Sequence, residues 1–466
     1  MSQLYLTRLV IETQTPMAIN SGMREVGFDS QLARDANGLP YLPGTSIAGV
    51  WRQLATQDKN LDEATAKAWF GTTDKRSLLS IGNGALLNSQ HQAMTGLVTP
   101  TAIDKDPILS KLALSSPHHR DRVAINDRGV AADKAKFDQI LLPKGVRFSI
   151  DISWQQQEEA QADQWQKLLA LWHNRTFALG ANTRNGLGQI KVVGMNTEIV
   201  ALNDLSGEHP ATKISQFKQQ AAPQTVSEVT HTQTPLCELT LQADSYWRFG
   251  SGTEVLSADK TDADIISYSE PSISWGNGIG SWQAAEPVLC GSAIKGILAH
   301  RVAFHYNRLT GRFAEDLADA SHDEWQARPA ALAQLFGRNE ERDPDTKAVT
   351  VPALAGRLIV EDSAIDYDPS QITVRYHNSI DRFTGGVRRG ALYSEELLYQ
   401  PKLTVRLWLL PGDPIEANLL IALEAALDDI AYGYVPMGAG GGRGTSLMKP
   451  EPESYNKENL TNLVKE

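Results

Sequence analysis

Two cysteines, Cys237 and Cys290, are all that the 466 residues contain, and no CxxC pair occurs. A disulfide framework and a cysteine-built zinc site are therefore excluded, and a reducing, cytoplasmic setting is expected. No run of about 18 apolar residues is present, so no membrane-spanning helix and no membrane partner are expected. The opening MSQLYLTRLVIETQTP lacks a basic segment followed by an apolar one, so no export signal is expected. Positive charge is short as well: 44 Lys and Arg stand against 55 Asp and Glu, a formal net charge of -11. That balance argues against sequence-blind adhesion to nucleic acid, while leaving room for a local basic groove.

What is present is a duplication. At this length at least two cores are expected. PYLPGTSIAGVWR (40–52) is answered by EPVLCGSAIKGILAHR (286–301), and WFGTTD (69–74) by LFGRNEERD (335–343). INDRGVAA (125–132) is answered by IDRFTGGV (380–387), and LGANTRNGLGQIKV (179–192) by MGAGGGRGTSLMK (437–449). Four matches in one order indicate a repeated unit. The division that follows is a first domain over 1–202, a polar linker over 203–233, a second domain over 234–450 and a polar tail over 451–466.

Periodicity gives the elements. LYLTRLVIET and CELTLQA alternate as half-buried strands do, and VRFSIDISW and LTVRLWLL are strands too. Ile47, Val50, Trp51 and Leu54 fall at i, i+3, i+4 and i+7, the spacing of a helix burying one face. QWQKLLALWHNR and NLLIALEAALDDIAYG are helices, each running into a glycine-rich loop. The class expected is α+β, with two tandem ferredoxin-like (RRM-type, βαββαβ) domains.

Several strings suit phosphate. Pro-Gly-Thr-Ser before a helix puts Thr45 or Ser46 at the cap and leaves backbone N–H groups at the positive end of the dipole. The second copy repeats this with Gly291 and Ser292 and adds Lys295 in the first turn. Simple helix capping accounts for the same residues. The glycine loops carry Arg184 and Arg443 at similar places, where backbone can approach a phosphodiester closely. GAGGGRGTS is no P-loop, because it lacks the lysine and follows a helix instead of a strand. Adjacent His118 and His119 on an extended segment point to opposite sides and make no metal pair. The stretch NSIDRFTGGVRRGALYSEELL (378–398) reads as a basic hairpin in an acidic chain.

The PGTS turn, the IDR hairpin and the terminal glycine-rich loop together resemble the RAMP superfamily, specifically the backbone subunits of type III CRISPR effector complexes. Two units in one chain resemble the fused subunits of a type III-D-like complex. The resemblance implies a thumb β-hairpin and a C-terminal Gly-rich loop in each unit. Guide CRISPR RNA, complementary target RNA and other CRISPR effector subunits are the implied partners. Thumb arginines Arg382, Arg388 and Arg389, with Arg128 in the first copy, would contact phosphates. Thr45, Ser46, Arg52, Arg184, Ser292, Lys295 and Arg443 would hold the RNA backbone. Phosphate contacts position the strands and base pairing reads sequence.

The resemblance also implies a metal-dependent endoribonuclease. Its cleaving aspartate sits in the loop between the first strand and the PGTS helix, and the residue that matches is Asp29. A carboxylate there could hold a Mg²⁺ or orient a 2′-hydroxyl for in-line attack, leaving a cyclic phosphate and a 5′-hydroxyl. Nearby Asp35, in RDANG, reads as a turn former. In the second copy the corresponding loop is roughly 17 residues longer. Alignment of SEPSIS with DSQLAR puts Ser269 or Glu270 at the place of Asp29, while Asp262 or Asp264 could still reach the scissile phosphate. One cutting site is expected, with a second that is dead or displaced. Two alternatives stand beside this reading. One is a non-catalytic guide-RNA-binding scaffold. The other is a guide-RNA-processing ribonuclease, which usually relies on a histidine near the N-terminal helix, and none precedes His91.

Overall fold

The computed structural model describes residues 3–465 apart from 127–129, 159–160, 204–208, 226–233, 258–260, 322–323, 326 and 344, and Arg128 lies outside the described residues. The architecture is mixed α/β. In the first unit β1 (Gln3–Thr13), α1 (Gly44–Gln57), β2 (Leu79–Ile81), a long hairpin β3 (His118–Ile125) and β4 (Ala131–Leu141), β5 (Arg147–Gln155), α2 (Gln161–Ala170) and β6 (Ile190–Ala201) follow in order. The sheet order is β2–β5–β1–β6, antiparallel throughout.

After helix α3 (Pro210–Gln219), the second unit repeats the plan. It runs β7 (Cys237–Gln242), β8 (Ser269–Gly276), β9 (Ile279–Leu289), α4 (Gly291–Leu309), β10 (Ser363–Asp366), hairpin β11 (Thr373–His377) and β12 (Tyr393–Tyr399), β13 (Lys402–Leu409), α5 (Ala417–Ala431) and β14 (Tyr455–Asn456). Its sheet order is β8–β9–β10–β13–β7–β14, and the strand Leu358–Val360, paired with β13 as β2 is with β5, completes with β13–β7–β14 the succession of the first sheet. The extra residues of the second loop thus lead into a hairpin, β8–β9, with no strand counterpart among the described residues of the first unit.

Each core follows its sequence. Trp51, Trp69, Trp154, Trp165 and Trp172 pack together in the first, and the Trp51 indole N–H donates to Leu168 O at 2.9 Å. The second is largely aliphatic, with Ile294, Leu298 and Val302 of α4 against Leu419, Leu423 and Leu427 of α5. β1 departs from its alternating pattern, being buried on both faces along most of its length. The reason is α3, within the stretch read as a linker: its Phe217 packs on Leu6 and Val200, and Arg8 spans Asp151 (2.7 Å) and Gln220 O (2.5 Å) beside the Phe217 ring.

The two units interlock through β8. Ile273 enters the first core, its N–H donates to Lys144 O at 2.8 Å, and the Trp275 indole donates to Gly145 O at 2.7 Å. Arg147 stacks on Trp275, 4.0 Å from the ring centroid. Gly145 (φ +88°) is required here, since a Cβ would lie 2.0 Å from Ile273 O.

Candidate nucleic-acid interface

The two helix starts share one construction. α1 begins after Pro43 with no side-chain cap, and its first N–H, on Gly44, donates to Asn83 Oδ1 at 2.9 Å. α4 begins after Cys290, and Gly291 N–H donates to Asp362 Oδ1 at 2.7 Å. Thr45 and Ser46 are exposed first-turn residues and not caps, which corrects the capping expectation: the side chain that satisfies the helix start comes from beside the second strand. The repeated glycine has a packing cause. A Cβ on Gly44 would stand 2.7 Å from Ile81 O, and one on Gly291 2.4 Å from Val360 O. Arg52, further along α1, is exposed and Ser292 is half-buried.

Lys295 is another correction. It is 8% exposed, and its ammonium donates to Arg184 O (3.0 Å) and Leu358 O (2.9 Å), tying the first unit's glycine loop to the second unit. Burial pushes its pKa down to about 8.

The loop after β1 lies along β4. Asp29 N–H donates to Asp138 Oδ1 at 2.8 Å, and Ile140 N–H donates to Ser30 Oγ at 3.0 Å. Phe28 meets His119 edge-on, 5.4 Å between centroids. The Asp29 carboxylate is exposed, and no Lys or Arg lies within ion-pair distance of it among the described residues. Asp138 is half-buried and stands across the hairpin from Asp121. Among the described residues no group of three or more His, Cys, Asp or Glu is placed to hold a metal ion.

Hydrogen bonding identifies the counterpart in the second unit. Ala33 N–H donates to Ile19 O and Tyr268 N–H to Phe249 O, both at 2.8 Å; four residues earlier stand Asp29 and Asp264. The hairpins agree, because Arg120 pairs with Gln139 and Arg375 with Glu395, which aligns Asp138 with Ser394. Asp264 N–H donates to Ser394 Oγ at 3.0 Å, as Asp29 N–H does to Asp138. Ser269 and Glu270 are therefore not at the Asp29 place; they open β8, because most of the extra residues form a hairpin after the loop and only the smaller part lengthens it. The Asp264 carboxylate accepts from Ser394 N–H (2.7 Å) and Oγ–H (2.8 Å), and these bonds hold it below the usual carboxylate range. Asp262, two residues earlier, is exposed.

The β11–β12 hairpin carries the basic stretch. At its tip Ile380 bridges Val387, and Asp381 accepts from the N–H groups of Phe383 and Thr384, both at 2.9 Å. The aspartate of the IDR string thus shapes the turn. Arg382, Arg388 and Arg389 are exposed, beside a fully exposed Phe383.

In the glycine loops Asn185 N–H donates to Asn182 O (2.9 Å) and Arg443 N–H to Gly440 O (2.8 Å). Arg443 therefore corresponds to Asn185 and not to Arg184, a one-residue correction. Arg443 is exposed, whereas Arg184 is half-buried, its Nε buried without a hydrogen-bond partner among the described residues. What approaches the first loop is protein: a Cβ on Gly186 would meet Val360 O at 2.8 Å.

Sequence reading missed one cluster entirely. Arg120 on β3 is buried between Glu270 (2.5 and 2.8 Å) and Asp362 (2.5 Å) of the second unit. His118, on the same face, lies 3.2 Å from Glu270, while His119 faces the other way, as expected. Burial alone would raise the pKa of Glu270, but Arg120 and His118 hold it well below the usual range; for Asp362 burial outweighs Arg120 and raises it. No local spacing announces this cluster, because its members come from different halves.

Two units of one plan, each carrying a long hairpin and a glycine-rich loop, define a duplicated α/β architecture. The model of the RAMP superfamily matches residues 10–191 and 284–449, and the chain belongs to that superfamily. Among solved structures, one match is a chain in the cryo-EM structure of the Type III-B Cmr-beta bound to cognate target RNA, at 14% identity and a TM-score of 0.30. The match covers 42% of this chain and 61% of that one, so the protein spans about three fifths of its neighbour's length. No curated protein matches the chain. No helix among the described residues is long and apolar enough to cross a membrane.

Proposed function

We propose that the chain is a backbone subunit of an RNA-guided type III CRISPR effector complex, of type III-D-like tandem form, that binds guide RNA and cleaves complementary target RNA at the Asp29 loop. Its units are ferredoxin-like, with the β3–β4 and β11–β12 hairpins as thumbs. Membership in the RAMP superfamily and the repeated strand succession support this class. The observation that carries the reading is Asp29 itself: an exposed carboxylate, positioned through its own N–H on Asp138 and unpaired with any cation among the described residues.

Asp29 takes the proton of a substrate 2′-hydroxyl. The 2′-oxygen then attacks the adjacent phosphorus as the bond to the 5′-oxygen breaks, and the leaving 5′-oxygen takes a proton drawn from solvent water, so the products are a cyclic phosphate and a 5′-hydroxyl. Asp29 and Asp138 are hard oxygen donors that fit a Mg²⁺ together with substrate phosphate oxygens, and such an ion would neutralise charge on the phosphate. Exposed Arg52, Arg382, Arg388, Arg389 and Arg443, with the first-turn residues Thr45, Ser46 and Ser292, serve phosphate contacts. In the second unit Asp264 is occupied by Ser394, which favours a scaffold role for that half.

The test is cleavage of end-labelled target RNA by the reconstituted complex, with and without Mg²⁺. Asp29→Ala is expected to remove one product band while assembly stays normal. Survival of every band would make this chain a scaffold and place cutting in its neighbours.

A further inference from the structure

The first hairpin brings more than Asp138 to the Asp29 loop. Cross-strand partners share a face, and so do residues two apart along one strand. The pairings His119–Ile140, Asp121–Asp138 and Val123–Lys136 therefore put His119, Asp121, Asp138 and Lys136 on one face of β3–β4. The Asp29 loop lies on that face: Asp29 N–H donates to Asp138 Oδ1 (2.8 Å), and Phe28 meets the His119 ring edge-on at 5.4 Å. Asp121 accepts the Lys136 ammonium at 3.3 Å, so that cation is already engaged. His118, one residue earlier, turns to the opposite face and is buried 3.2 Å from Glu270, whereas His119 is exposed.

The second unit lacks this set. Arg120 and Arg375 hold one place and Asp138 and Ser394 another, so Val374 stands at the place of His119 and Tyr376 at that of Asp121. An imidazole is thus supplied only beside Asp29, whose carboxylate no hydroxyl occupies. The unit of Asp264, whose carboxylate Ser394 binds, has a valine there.

We propose that His119 is the general acid of the cleavage that Asp29 begins, with the scissile phosphodiester seated between the two. The proposal rests on the reading of Asp29 as the base. In-line displacement sets the attacking 2′-oxygen and the leaving 5′-oxygen on opposite sides of the phosphorus, so a second group is needed at the leaving side. Asp138, which anchors Asp29, is the diagonal neighbour of His119 across the hairpin, and such positions lie about 7–8 Å apart. That separation admits a phosphodiester with one group at each reacting oxygen. Phe28, against the His119 ring, ties the acid to the loop that carries the base. In its imidazolium form His119 gives a ring N–H proton to the 5′-oxygen as the bond from phosphorus to that oxygen breaks. The electron pair of the broken bond stays on the 5′-oxygen and takes the proton, and the neutral imidazole then recovers a proton from water. Asp29 passes the 2′-proton to water, so the reaction gains and loses none.

The experiment uses the reconstituted complex and two target RNAs that differ in one atom, oxygen or sulfur at the bridging 5′ position of the bond whose product Asp29→Ala removes. A thiolate leaves without being protonated, so the sulfur substrate has no need of a general acid. His119→Ala is expected to slow single-turnover cleavage of the oxygen substrate about a hundredfold and that of the sulfur substrate about threefold or less, with the co-purifying guide RNA unchanged. Asp29→Ala, which removes the base, should slow both alike. Equal losses on the two substrates with His119→Ala, or no loss on either, overturn His119 as the acid and leave Asp29 in its role. Cleavage that survives Asp29→Ala at every position overturns the reading of Asp29, and the proposal with it.

Discussion

Asp29 and Asp264 occupy the same point of two copies of one plan, yet their carboxylates have different neighbours. Backbone pairing is alike in both loops, and one partner residue separates them: Asp138 accepts the loop N–H in the first unit, and Ser394 does so in the second. Asp138 accepts from the loop and offers Asp29 only its backbone N–H at 3.5 Å, whereas Ser394 binds Asp264 through its N–H (2.7 Å) and its hydroxyl (2.8 Å). Arg120 and Arg375 make the same kind of pair, one enclosed by two carboxylates and one open. Duplication kept the geometry and changed what each position is asked to do.

The strongest way to break the comparison is to exchange the loop partners. Asp138→Ser is expected to give Asp29 the hydroxyl that occupies Asp264, lowering single-turnover target cleavage by about a hundredfold, the scale of a lost general base. Unchanged rates would show that the partner residue does not set the difference between the loops.

A stability measurement separates the two arginines. Arg120→Met strands Glu270 and Asp362 in the interior, and urea unfolding should register a loss of about 3–5 kcal/mol. Arg375→Met, on the open face, should stay within about 0.5 kcal/mol. Equal losses would mean that Arg375 is structural in the isolated chain.

Gly186→Ala and Gly444→Ala sharpen the contrast further. Both glycines have positive φ, +91° and +78°, so both variants carry backbone strain. Only Gly186 faces Val360 O, and its variant should cost about 1–3 kcal/mol more in thermal unfolding.

The last contrast concerns Lys295, whose effect is smallest when read per pH unit. Its folded pKa of about 8 lies below its ordinary value of 10.5, so between those values the unfolded chain binds a proton that the folded chain does not. Stability therefore rises with pH across that window, by no more than about 1.4 kcal/mol per pH unit. The difference between the native chain and Lys295→Met should trace this slope, and a flat difference would show that the amine keeps its charge in the joint.

Much of this was legible in residues near one another in the chain. Alternation located β1, β5, β7 and β13, the i, i+3, i+4, i+7 spacing located α1, and four repeated strings located the duplication. Asp29 was reached through resemblance to a loop position, and the exposed Arg382, Arg388 and Arg389 through the composition of a hairpin. The second loop misled because an alignment of strings cannot tell a longer loop from a loop followed by a new hairpin; only the hydrogen bonds of Tyr268 and Asp264 decide it.

By itself, then, the sequence determined that the chain is one unit written twice and where most of its strands and helices fall. Those properties follow from side-chain period and turn chemistry, which act over a few residues. Tertiary structure alone decided which repeated face is docked and which is open, that Lys295 is turned inward, and that Arg120 finds acids 150 and 242 positions away. Such contacts exist only once two distant segments have been folded against each other, because burial and pairing depend on separation in space and not along the chain.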